Sequence, residues 1–228
     1  MPDFTVVFPL YPGVTQLDFT GPHQVFSRLP DAKVLAASLG GQDIEADGLV
    51  FASLGDLARV ERCDLICVPG GFGAMEAMLD EAFLKEVRRL AAGARYVTSV
   101  CTGSLILAAA GLLAGKRAAT HWAWRDLLQP FGVTVDEARV VRDGDTFTGG
   151  GVTAGIDLAL AVAAEIAGEA YAQGIQLGIE YAPAPPFDAG RPETAPPEVV
   201  ERVRRRMQPM ARARLDAAHE AARRLQPA

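Results

Sequence analysis

A short β-branched run of buried type, Tyr96-Val-Thr-Ser-Val100, passes straight into Cys101, and Thr102-Gly103-Ser104 at once open an Ala- and Leu-rich helix predicted over 102–113. Strand into helix without a loop is the building step of a βα layer. The pattern recurs. Phe4–Phe8 is an apolar β-type run that ends in the turn-rich Pro9–Gly13, and a helix is predicted near Gly21–Leu29. Lys33–Leu39 reads as a second strand and Ile44–Leu54 as a hairpin or edge excursion. Leu65-Ile-Cys-Val68 is wholly apolar and stops at Pro69-Gly70-Gly71. Asp80–Ala92 has helical periodicity, with Leu84, Val87 and Leu90 on one face. Residues 139–141 and 145–148 read as a hairpin around Asp143-Gly144. Gly149-Gly150-Gly151 then opens a helix over 152–167, followed by another over 169–181. Such alternation means βαβ units and a mostly parallel sheet with helices on both faces.

The Pro- and Ala-rich stretch 182–197 reads as a tether. It leads to a last helix over 198–225, whose apolar stripe packs on the body or on another subunit. The expectation is one domain over 1–228, large enough to bury a sizeable core. The net charge of −6 argues against nucleic acid as the main partner. The run Arg202, Arg204, Arg205, Arg206 is interleaved with acids and reads as a solvated helix face. The N-terminal residues lack the features of a signal peptide, and no stretch approaches the roughly 20 apolar residues of a membrane helix. Three cysteines at irregular spacing, Cys63, Cys67 and Cys101, make a poor disulfide framework or zinc site, so a cytoplasmic protein without metal is expected.

Cys101 has the setting of a nucleophile elbow: a strand ends at the nucleophile, and small residues let a helix begin at once. The carboxyl ends of parallel strands are also where ligands bind in open α/β sheets. A helix N-terminus favours an anion and can lower a thiol pKa from about 8.5 to below about 7. The competing reading is an inert buried cysteine, which Cys67 fits well. Oxyanion donors would come from the amides of Thr102 and of the Gly-Gly turn, Gly71 in particular. Two groups compete to move the proton. His121 follows a possible short strand at 117–119. Asp18, between Leu17 and Phe19 in the crossing from first strand to first helix, is the other; burial would raise its pKa, and an ordinary helix cap is the alternative. The helix after Gly149–Gly151 would pack beside the elbow, with Val152 near Cys101 and Gly150 intolerant of bulk.

The motifs TSVCTGSLILAAAGLLAGKRAATHW, VPGG, QLDFTGP, VVRDG, TGGGVTAGIDLAL and EYAPAPPFDAG together resemble the ThiJ/PfpI superfamily of class I glutamine amidotransferase-like proteins, and within it the isonitrile hydratases. The resemblance runs over nearly the whole chain. It implies a flavodoxin-like sandwich with a C-terminal helical extension, and a homodimer with active sites near its interface. It implies Cys101 as nucleophile and places Asp18 where many members carry a Glu that hydrogen-bonds the cysteine. Peptidases of the superfamily have a His directly after the cysteine. Thr102 stands there here, which speaks against a Cys–His peptidase and leaves His121, with Trp122 and Phe72, as pocket wall. The implied reaction is hydration of an isonitrile to an N-substituted formamide through a covalent thioimidate, with no cofactor. Alternatives are a glyoxalase- or deglycase-like enzyme of the same superfamily, a cysteine redox sensor, or an interaction module related to regulators whose added DNA-binding domain is not expected here.

Overall fold

The computed structural model describes residues 4–225. In chain order the elements are β1 Phe4–Pro9, α1 Gln16–Phe26, β2 Ala32–Ser38, the hairpin β3 Ile44–Ala46 and β4 Leu49–Phe51, β5 Gly55–Asp56 and β6 Leu65–Val68. There follow α2 Ala74–Ala77, α3 Glu81–Gly93, β7 Tyr96–Val100, α4 Gly103–Ala109, β8 Arg117–Ala118 and β9 Thr134–Val135. The chain closes with β10 Val140–Asp143, β11 Thr146–Gly149, α5 Ala154–Ala167, α6 Glu169–Gly178 and α7 Pro197–Arg224.

Seven strands form one sheet in the order β10-β11-β7-β6-β1-β2-β5, parallel throughout except for the β10–β11 hairpin. The fold is therefore the mostly parallel, flavodoxin-like sandwich expected, with helices on both faces and a C-terminal helix. The helices α1, α5 and α6 pack together, while α3 and α4 cover β6 and β7, with α2 and α7 packed on α4 beyond them. Central strands pay no attention to alternation because both faces are covered. Val6, Val7 and Phe8 of β1 and all of Leu65, Ile66, Cys67 and Val68 of β6 are fully buried. Each large apolar side chain so buried contributes roughly 1.5–3 kcal/mol. Register brings Val68 beside Ser99 and Gly149 beside Val100, so the carboxyl ends of β6, β7 and β11 open onto one edge.

Several boundaries differ from those expected, for identifiable reasons. Helix α1 starts at Gln16, five residues early, and carries Pro22 in its interior. Its first amide donates to Asp47 Oδ2 (3.1 Å) in the β3–β4 turn, a cap supplied from 31 residues away. Asp18 thus lies in the first turn of α1, neither in a crossing loop nor as its cap. Helix α4 is shorter than expected and stops at Ala109, with Gly111 in the left-handed region just after. The expected helix over 169–181 ends at Gly178, and α5 begins at Ala154, after the turn at Gly151–Thr153. The β10–β11 loop is Gly144-Asp145, one residue beyond the expected centre. The tether over 182–196 contains neither helix nor strand. Among the described residues no helix is long and apolar enough to cross a membrane.

Candidate active site

Cys101 sits where β7 ends and α4 is about to begin, with φ at +55°. That is a left-handed conformation which side chains with a Cβ rarely adopt. Its neighbours hold it there. The Cys101 N–H donates to Gly150 O (2.8 Å) and Gly149 O (3.1 Å), at the end of β11. Its carbonyl accepts from Ser104 Oγ and Thr120 Oγ1, each at 3.0 Å. The following residue is held as firmly: the Gly71 N–H donates to Thr102 Oγ1 (3.0 Å). Close approach of the turn after β6 is possible only with glycine. A Cβ on Gly70 would lie 2.5 Å from Thr102 N and 2.9 Å from Asp18 Oδ2, and one on Gly103 would lie 2.1 Å from Val68 O.

Asp18 is completely buried beneath this turn. Its Oδ2 accepts from the Gly70 N–H (2.9 Å), whereas Oδ1 has no partner of hydrogen-bonding geometry. Burial pushes its carboxyl pKa up to about 7, against the opposing pull of the Gly70 N–H and the Cys101 thiol. Burial also pushes the Cys101 thiol well up, and the Asp18 charge adds to this; the Thr102 amide and hydroxyl oppose it. The lowered thiol expected from the helix N-terminus is therefore overruled by desolvation, which disfavours the thiolate more than one short helix favours it. The thiol keeps its proton at neutral pH, while a carboxyl near 7 exists there in both forms, so Asp18 can take a proton from Cys101 and give it back. Cys67, on β6, is raised to about 12 by burial and is fully buried, as befits an inert core thiol.

Above the sulfur lies a cavity of about 480 Å³. Its floor is Gly71, Cys101 and Thr102, and Phe72, His121, Trp124 and Val152 form its walls. Its roof is α7, through Val203, Arg206, Met207, Met210 and Arg214. Phe72, His121 and Val152 thus line the same cavity as Cys101. His121 accepts from the Ala123 N–H (3.3 Å), and burial with two nearby arginines drives its pKa down to about 4, so it is a neutral wall. Gly150 and Trp122 instead line a smaller neighbouring cavity of about 210 Å³, with Arg139 and the tether residue Glu193. Gly150 acts on Cys101 through its carbonyl, and a methyl group there would meet only ordinary contacts, at 3.7 Å or more. The Gly71 amide is engaged by Thr102 Oγ1, so it does not point into the cavity as an oxyanion donor. Trp124 and the α7 residues were not anticipated. Their signal was present: Val203, Met207, Met210 and Arg214 follow helical spacing along one stripe.

Residues 4–165 match the DJ-1/PfpI family. The chain belongs to the DJ-1/PfpI family. Within it, the chain is 50% identical over 222 residues to an isonitrile hydratase of Pseudomonas putida, covering 96% of each protein. A ThiJ/PfpI family protein from Pseudomonas syringae superposes with a TM-score of 0.88 at 39% identity, over 97% of this chain and 91% of that one. The HTH-type transcriptional regulator CdhR of Pseudomonas aeruginosa is 33% identical over 76% of this chain, which spans 52% of the regulator. The DJ-1/PfpI match stops before α7, so the roof of the cavity lies outside the stretch that the family shares.

Proposed function

We propose that this protein hydrates isonitriles to N-substituted formamides, with Cys101 as nucleophile and Asp18 as proton carrier. The observation that carries the reading is the buried Asp18 carboxyl set against Cys101, whose sulfur lies at the floor of a cavity roofed by α7, in a chain half identical to an isonitrile hydratase. The terminal carbon of R–N≡C accepts both a nucleophile and a proton. Asp18 takes the proton from the Cys101 thiol as sulfur bonds to that carbon, then delivers it to the same carbon. The product of this step is the thioimidate Cys–S–CH=N–R. A carboxyl pKa near 7 suits a group that must both take and give.

Water then adds to the carbon, with one proton going to nitrogen. As the C–S bond breaks, the hydroxyl proton returns through Asp18 to sulfur, leaving R–NH–CHO and the free thiol. The Thr102 amide and hydroxyl favour negative charge on the sulfur, and that amide is offered to developing charge. Every atom is accounted for by isonitrile plus water, with no net redox change and so no demand for a metal or organic cofactor. A raised thiol is a poor target for oxidation, which weighs against the redox-sensor reading. The proposed setting is a cytoplasmic homodimer; the three free cysteines and the family likeness support it.

The test is formation of N-cyclohexylformamide from cyclohexyl isonitrile by the purified protein, followed by chromatography. Turnover by the wild type and its loss in Cys101→Ala is the expected result. No formamide from the wild type, with methylglyoxal consumed instead, would transfer the site to the glyoxalase- or deglycase-like alternative.

A further inference from the structure

Arg214 is a buried cation with no counter-charge. It is 5% exposed, and among the described residues it makes no hydrogen bond or ion pair. Its guanidinium lies over the Trp124 ring, 4.1 Å from the centroid, and 5.8 Å from that of Phe72. Stacking leaves the N–H edge of a planar guanidinium free for a bidentate acceptor. The charges it senses are those of Cys101, then Glu76, then Tyr11; Glu76 is the carboxylate among them, but its side chain is exposed and forms no salt bridge with Arg214. An uncompensated buried charge is costly, and an anion that arrives beside it offsets that cost.

The rest of the cavity has the same sign. Arg206 is its second charged wall residue, and no carboxylate lines it. Burial and the flanking arginines keep His121 uncharged. Arg214 and the sulfur sense one another's charge, yet burial keeps the thiol well raised, so Arg214 does not hold the sulfur ionised. An isonitrile group is itself uncharged and asks for no cation. The positive charge above the sulfur therefore addresses the remainder of the substrate, while Val152, Val203, Met207 and Met210 provide apolar walls for its organic body.

Resting on the hydratase reading, we propose that the site takes isonitriles carrying a carboxylate, which Arg214 binds while the isonitrile carbon faces Cys101. Isocyanoacetate and its methyl ester differ in this charge and in one methyl group and form the probe pair. The measured quantity is the ratio of kcat/KM for acid over ester, in the wild type and in Arg214→Met. The wild type should favour the acid. In Arg214→Met the ratio should fall roughly tenfold to a hundredfold, the range of a charge-assisted pair. Arg214→Lys should recover part of it. Equal losses on both substrates, or an unchanged ratio, would overturn the proposal and leave Arg214 as packing for Trp124. Turnover of cyclohexyl isonitrile alone overturns the carboxylate proposal as well. If the wild type turns over neither compound nor cyclohexyl isonitrile, the hydratase reading fails instead. Calorimetric binding of N-formylglycine against its methyl ester then decides the anion site alone: wild-type binding of the acid lost in Arg214→Met supports it, and equal binding of acid and ester refutes it.

Discussion

The floor and the roof of the cavity are built by different means. The floor is backbone: three strand ends, two glycines that admit no side chain, and hydrogen bonds that fix Cys101 from both sides. The roof is one face of α7, joined to the body by side-chain packing and by a tether without regular structure. A floor so over-determined positions atoms, whereas a packed side-chain surface sets what fits above them. Substitutions in the floor should therefore act on the chemical step or on folding, and those in the roof on binding.

The sharpest break would come at the sulfur. Cys101→Ser keeps the shape and should lower kcat by about a thousandfold or more, as loss of a nucleophile does; a variant with near-normal formamide production would detach the elbow from the reaction. Asp18→Asn keeps the Gly70 hydrogen bond but carries no proton, and should lower kcat/KM by roughly 10²–10⁴-fold.

The same variant has a second signature, in stability. Asp18 titrates at about 7 when folded and near 4 when unfolded, so the native state binds more protons between those values. Wild-type stability must then fall as pH rises from about 4 to 7, by up to roughly 4 kcal/mol from this group, whereas Asp18→Asn lacks that loss. Urea midpoints at pH 5 and pH 8 should show the variant gaining on the wild type at the higher pH; a constant difference would mean that Asp18 is not held at a raised pKa.

Gly103→Ala forces a methyl group against the Val68 carbonyl and should cost about 1–3 kcal/mol in thermal or urea unfolding. The smallest effect belongs to the roof. Met207→Ala should raise KM for a bulky isonitrile severalfold with kcat little changed, since it removes contact made equally in ground and transition states. A large drop in kcat from Met207→Ala would erase the division between floor and roof.

The same division explains what could be read from the sequence. Cys101, Thr102 and the glycine turns were legible because local geometry demands small residues where a strand meets a helix. The order of apolar strands and periodic helices likewise announced the parallel sheet. Asp18 was found as a buried acid but misplaced, because the start of α1 is set by Asp47, an acid distant in the chain. The Gly71 amide was assigned to the cavity since a turn sequence does not say which way its N–H points. The α7 residues were missed for a related reason. The arginine run around Arg206 reads as solvated by charge alone, and Arg214 looks like one more surface base until a tertiary fold lays Trp124 beneath it.

Cys101 occupies a backbone conformation that glycine would fill without effort. Residues held in that region typically cost of order 1–3 kcal/mol. A chain optimised for folding alone would discard the sulfur at this position and become sturdier for it. Position 101 is thus a built-in weak point, and thermal robustness and reactivity pull against one another at a single residue. Efforts to harden this scaffold should leave that tension alone and seek their gains elsewhere, on surfaces remote from the strand ends.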